Sequence, residues 1–115
     1  WLAGIIEGEG FIGIHRTHAK AGHKKPPGYR YETACIEVAM NDRDVIARVA
    51  DLFGKRVLGP YQYGKLARKP HYQAQVFGKD AARVLRLILP HLGVRRTSAA
   101  NEALTLWEKK WNCSK

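Results

Sequence analysis

The apolar residues of this chain change their spacing twice, and both times in the same direction. Phe11-Ile12-Gly13-Ile14-His15-Arg16 alternates with a period of two, as does Glu32 to Met40. Such alternation belongs to strands with one buried face. Asp44 to Phe53 then carries Val45, Ile46, Val49, Leu52 and Phe53 at helical spacing. The switch repeats: Arg56 to Tyr63 and His71 to Phe77 read as strands, and Lys79 to Leu89 as a helix striped by Ala81, Val84, Leu85 and Ile88. Neither an all-helical nor an all-β domain accommodates two such cycles. Asn41 and Asp42 are good helix-start residues, Gly54 a helix stop, and Pro90 a breaker. With a short helix over Leu2 to Gly8 and a last one from about Thr97 to Trp111, the predicted order is α-β-β-α-β-β-α-α. We therefore expect a mixed α+β domain spanning residues 1–115, with a four-stranded antiparallel sheet covered by helices on one face.

The strand alternation sorts side chains onto the two faces. Ile12, Ile14, Ala34, Ile36, Val38, Tyr72, Ala74 and Val76 are expected to point at the core. Phe11, Gly13, His15, Thr17, Tyr31, Thr33, Cys35, Glu37, Tyr61, Tyr63, His71, Gln73 and Gln75 fall on or fringe the other face. The turns between the paired strands are basic, with Lys24, Lys25 and Arg30 in one and Lys65 and Arg68 in the other. Twenty Lys and Arg against ten Asp and Glu give a formal charge of +10. A small domain so charged suits a polyanion. A polar sheet face with basic tips fits base-edge readout with phosphate clamps at the ends, although a merely solvated face is common in antiparallel sheets. No apolar run approaches the roughly 20 residues that span a bilayer, and no secretory signal is expected. Cys35 and Cys113 stand far apart in no metal-like spacing, as reduced thiols of an intracellular protein would.

The first eleven residues, WLAGIIEGEGF, mix an apolar helix-like run with Gly4, Gly8 and Gly10 and the acids Glu7 and Glu9. Each glycine inside a helix costs about 1 kcal/mol relative to alanine, so something must be gained. Small residues leave a nearly flat helix face on which a second backbone can lie closely. A phosphate-cradling glycine loop is the competing reading of Gly8-Glu9-Gly10, but it requires a strand before and a helix after, and here the order is reversed.

Leu2-Ala3-Gly4-Ile5-Ile6-Glu7-Gly8-Glu9-Gly10 resembles the signature of the LAGLIDADG homing endonucleases, with Glu for Asp at both acidic positions. The element order is similar to that family's core. MNDRDVIARVADLFG resembles its second helix, and LPHLGVRRTSAANEAL its closing segment. The resemblance thus covers nearly the whole chain. It implies two domains packed through their motif helices, with Ala3, Gly4 and Gly8 at the seam. It implies that Glu9, helped by the Gly8 carbonyl, binds Mg²⁺, with Mn²⁺ able to substitute and Ca²⁺ supporting binding without efficient cutting. Glu7 would serve a structural, hydrogen-bonding role, and Gly10 a tight exit into the first strand. Where the family often has a water-holding Gln, near the end of the second strand, this sequence departs with Met40, and the role is carried over to the next residue, Asn41. Arg95, with Arg96 beside it, takes that of a basic residue, typically Lys. Arginine can stabilise a pentacovalent phosphate but titrates too high to shuttle protons.

One motif and one acid per chain imply a homodimer that makes a double-strand break in a long, roughly palindromic DNA. No membrane and no small-molecule cofactor are expected. The runner-up is a non-cleaving relative of the same fold, either a DNA-binding regulator or an RNA maturase; half of a two-motif monomer is a third. An intact Glu9 favours the nuclease. The gene would sit in an intron, an intein or on its own. Zinc at His15, His18 and His23 lacks a fourth ligand at suitable spacing. Trp107 and Trp111, four apart on the last helix, read as core or interface. Lys24-Lys25-Pro26-Pro27 is a loop tip and only a weak nuclear address.

Overall fold

A computed structural model of the chain describes residues 1–18, 30–61 and 70–113. Its elements are α1 (Leu2–Glu9), β1 (Gly10–His18), β2 (Arg30–Met40), α2 (Arg43–Phe53), β3 (Leu58–Tyr61), β4 (His71–Phe77), α3 (Gly78–Ile88), a 3-10 turn (Leu89–His91) and α4 (Val94–Cys113). The four strands form one antiparallel sheet in the order β1-β2-β4-β3. The expected α+β architecture and element order are both present.

Ile12, Ala34, Ile36, Val38, Ala74 and Val76 line one sheet face and are buried. Against them pack Ile46, Val49 and Phe53 of α2, Ala81, Val84, Leu85 and Ile88 of α3, and Ala100, Ala103 and Leu104 of α4. The stripe positions of each helix recur every three or four residues, so burying that face is what fixes the helix on the sheet. Ile14, expected inside, is half-buried near the outer end of β1. Trp107 packs against the core as anticipated.

Local chemistry sets the boundaries. The Asp42 carboxylate accepts the N–H groups of Asp44 (3.1 Å) and Val45 (3.4 Å), capping α2. Gly54 ends α2 in the left-handed region at φ 72°, as a residue without Cβ does without strain. Gly78, at φ 61°, turns β4 straight into α3. Lys55 Nζ lies 3.1 Å from Asp80 Oδ2 and ties the end of α2 to the start of α3. Arg48 stands 4.0 Å over the Trp1 ring, joining α2 to the residue before α1.

Several boundaries shift by one to three residues from expectation, β2 starting at Arg30 rather than Glu32, and at two of them the structure gives the reason. α4 starts at Val94 rather than Thr97, because the Gly93 carbonyl already accepts the Thr97 N–H at 2.8 Å; the Thr97 hydroxyl donates to the Leu92 carbonyl instead of capping a helix. β3 starts at Leu58 rather than Arg56, and its register shifts between Leu58 and Tyr61, where Pro60 has no N–H to give to a ladder. No helix among the described residues is long and apolar enough to cross a membrane.

Candidate nucleic-acid interface

Glu9 is the last residue of α1, exposed, and without a hydrogen-bond or ion-pair partner among the described residues. The chain leaves the helix at the next position: the Gly10 N–H reaches the Ile6 carbonyl and Gly10 is already extended. A Cβ at Gly10 would lie 2.8 Å from Ile6 Cα, which is backbone and cannot yield. The exit is therefore open only to glycine. Because strand follows helix at once, the Gly8 carbonyl beside Glu9 has no helical N–H to accept.

Glu7 points the other way. Its Oε1 accepts the N–H of Gly93 at 2.5 Å. Gly93 immediately precedes α4, whose first turn holds Arg95 and Arg96 and no acid. Two cations at the positive end of a helix dipole are unfavourable, and the Glu7 carboxylate offsets them from a different helix. The hydrogen-bonding role expected of Glu7 has a definite partner.

Helical geometry divides the small residues of α1 between two faces. Gly4 and Gly8, four apart, are exposed, and a Cβ built on either meets nothing within 4 Å. Ala3 is different: with Ile6 it faces this chain's own core at 7% exposure. Ala3 is thus corrected from a seam residue to a core residue, since it lies one helical step away from the Gly4 and Gly8 row.

The outward sheet face divides into rows fixed by the register. Phe11, Glu37 and Gln75 form one row, and Gly13, Cys35 and Phe77 the next. Gln75 Nε2 donates to Glu37 Oε1 and, at 3.1 Å, to Gln73 Oε1, so these three expected base readers are bonded to one another. The Phe11 ring folds over Gly13, where a Cβ would come within 2.5 Å of Phe11 Cζ. Gly13 is therefore the seat of a ring rather than a bare patch of strand. The rings of His15 and Phe77 meet edge-on at 5.4 Å between centroids.

Thr33, expected to be accessible, is only 4% exposed. A Cβ at Gly78 would lie 3.5 Å from its Oγ1 and 3.8 Å from Trp107, so the turn into α3 shuts over it. This corrects Thr33 from a DNA-facing to a buried residue. Tyr61 is half-buried with its ring 5.7 Å from that of His71.

Asn41 is exposed just past β2, and its Nδ2 donates to the Pro70 carbonyl at 3.0 Å. Arg95 is exposed in the first turn of α4. Arg96 is partly buried, with its Nε lacking a partner. For Thr17, Arg30 and Tyr31 the strand backbone is defined, Thr17 opposite Tyr31 and Arg30 opposite His18. Lys24, Lys25, Tyr63, Lys65 and Arg68 lie outside the described residues. Sequence reasoning passed over Phe77, although it shares the odd-numbered parity of Gln73 and Gln75; the signal was there. Nothing in the sequence marked Gly93 as the receptor for Glu7.

No protein-family model and no curated protein matches this chain. Solved structures do. The homing endonuclease I-CvuI, in complex with its target in the presence of Ca, is similar at 16% identity with a TM-score of 0.72 over 99% of this chain and 68% of its own. I-CeuI, an intron-encoded homing endonuclease complexed with DNA, is similar at 17% identity with a TM-score of 0.68 over 96% of this chain and 54% of its own. The LAGLIDADG homing endonuclease I-LtrWI, bound to target DNA, is similar at 15% identity with a TM-score of 0.68 over 97% of this chain and 36% of its own.

Proposed function

From the fold of the LAGLIDADG homing endonucleases, which this chain has, we propose that two copies act as a divalent-metal-dependent endonuclease on double-stranded DNA. The product is a double-strand break in a long pseudo-palindromic site. I-CvuI, I-CeuI and I-LtrWI are themselves DNA complexes, which supports DNA as the partner. The observation that carries the cleavage reading is Glu9: an exposed carboxylate without a partner among the described residues, at the abrupt end of α1, next to the outward sheet face.

The donors present fit a hard cation, which prefers carboxylate and carbonyl oxygens. Glu9 and the Gly8 carbonyl would hold it. Among the described residues no group of three or more His, Cys, Asp or Glu converges. One chain therefore supplies part of a coordination shell, and a second chain and the DNA phosphates would supply the rest. Held there, such a cation would supply Lewis-acid polarisation of a phosphate and a lowered pKa for a water. Asn41 spends its amide N–H on Pro70 and keeps its carbonyl oxygen to accept a hydrogen bond from water. Arg95 would bring a guanidinium fork that positions a phosphate and offsets its charge. Gly4 and Gly8 give the open face through which two α1 helices would meet.

The test begins with a randomised duplex library incubated with the protein and Mg²⁺, followed by sequencing of bound and cut fragments. On the selected site Glu9→Gln should abolish cutting, while affinity in EDTA stays equal or improves, because a carboxylate beside phosphates repels them when no cation lies between. Full cleavage by Glu9→Gln refutes the metal-ligand role. A wild type that binds one site tightly yet never cuts it would make the protein a regulator or maturase.

A further inference from the structure

On the outward sheet face, the Gly13, Cys35 and Phe77 row carries no charged or amide side chain. Phe11 and Phe77 are 50% and 39% exposed, a high exposure for two phenylalanines on the face that also holds Glu37, Gln73 and Gln75. The apolar area is built rather than incidental. The absent Cβ at Gly13 is what admits the Phe11 ring. Cys35 forms a buried floor between Gly13 and Phe77, and burial, then the charge of Glu37, pushes its thiol up and keeps it neutral. His15 closes the side away from α1 by its edge contact with Phe77.

We propose that Phe11 and Phe77 seat the C5 methyl group of a pyrimidine, thymine in unmodified DNA, and so fix one base pair of each half-site. This inference rests on the proposed binding of duplex DNA. In the major groove the base edges present hydrogen-bonding groups and a single apolar group, the methyl of thymine. An apolar saddle set into a polar reading surface therefore has one complement there. Charge argues against a protein occupant: the domain is +10, and the neighbouring row is a bonded set of amides and a carboxylate rather than a continuation of the apolar surface. Phe11 follows Glu9 by two residues along the chain, so the base pair belongs to the inner part of the half-site, near the cut. A second copy repeats the contact at the symmetric position.

The experiment uses the site selected from the randomised library and measures affinity in EDTA for duplexes with deoxyuridine in place of each thymidine in turn. Uracil pairs as thymine does and lacks only the methyl. One inner position per half-site should bind about fourfold more weakly, the factor that burial of one methyl supports. Phe77→Ala should bring the thymine-to-uracil ratio at that position to about one, while Phe77→Leu, which keeps an apolar contact, retains much of it. Circular dichroism of each variant reports its fold. Uracil tolerated at every position, a selected site with no inner thymine, or a ratio that survives in both Phe11→Ala and Phe77→Ala overturns the methyl seat and leaves DNA binding intact. A library that yields no preferred sequence overturns the DNA reading as well.

Discussion

Replacing Gly4 by alanine should change the stability of the single chain and of the proposed dimer in opposite directions. In one chain the new Cβ has nothing within 4 Å. What remains is helix propensity, which favours alanine over glycine by about 1 kcal/mol in a helix interior; α1 has only eight residues, so a gain of about 0.5–1 kcal/mol is reasonable. At a seam of two closely packed helices, the same methyl enters twice, once per copy. Adding a methylene to a packed site costs about 1–3 kcal/mol. Taking the low end for each copy gives about 2 kcal/mol, a roughly thirtyfold rise in the dimer dissociation constant. Sedimentation equilibrium measures that constant. Urea unfolding, run well below it, measures the isolated chain. Ala3→Leu should behave otherwise, damaging the fold itself, because Ala3 sits in the core. An unchanged dimer constant for Gly4→Ala, or a monomer destabilised by it, would refute the assignment of the Gly4 and Gly8 face as the seam.

Gly10→Ala should destabilise the chain by about 1–3 kcal/mol, since its Cβ meets the Ile6 backbone; a shift in urea midpoint reports it, and wild-type stability would contradict the tight exit. Glu7→Ala should cost about 1.5–3 kcal/mol, the range for a hydrogen bond to a charged group, and Glu7→Gln less, with both read as a faster exchange of the Gly93 amide. Asp80 is held below the ordinary aspartate value by the hydrogen bond from Lys55 and then by its charge. Its pairing thus contributes stability above the ordinary value and loses it as pH falls through the lowered one. Carboxyl NMR titration should show the Asp80 midpoint moving upward in Lys55→Ala.

Periodicity disclosed the fold because each element buries one face of a two-layer domain. The core stripes of β2 and α3 are the ones the structure buries, while those of β1 and α2 hold in part, Ile14 being half-buried and Leu52 47% exposed; His71–Phe77 is bounded to the residue, with Pro70 and Gly78 flanking it. Periodicity failed where neighbours in space decide. Thr33 has the parity of an outward residue, yet the turn at Gly78 covers it. Ala3 looked equivalent to Gly4 as a small residue, but one helical step of about 100° separates core from open face. Val94 lacked any start signal because the cap of α4 is contributed from α1, 86 residues away.

That remote cap makes two distant segments open as one. The first turn of α4 carries Arg95 and Arg96 against its dipole and finds its balancing acid only while α1 is docked. Undocking α1 leaves that turn to fray, and fraying it releases Glu7. Amides of α1 and of residues 93–96 should therefore exchange as one cooperative unit, with a shared opening free energy. Whatever grips the free face of α1 consequently tightens Arg95, and whatever grips Arg95 tightens α1. A proposed partner at one and a phosphate at the other would then be thermodynamically linked, each raising the affinity for the other by the same factor.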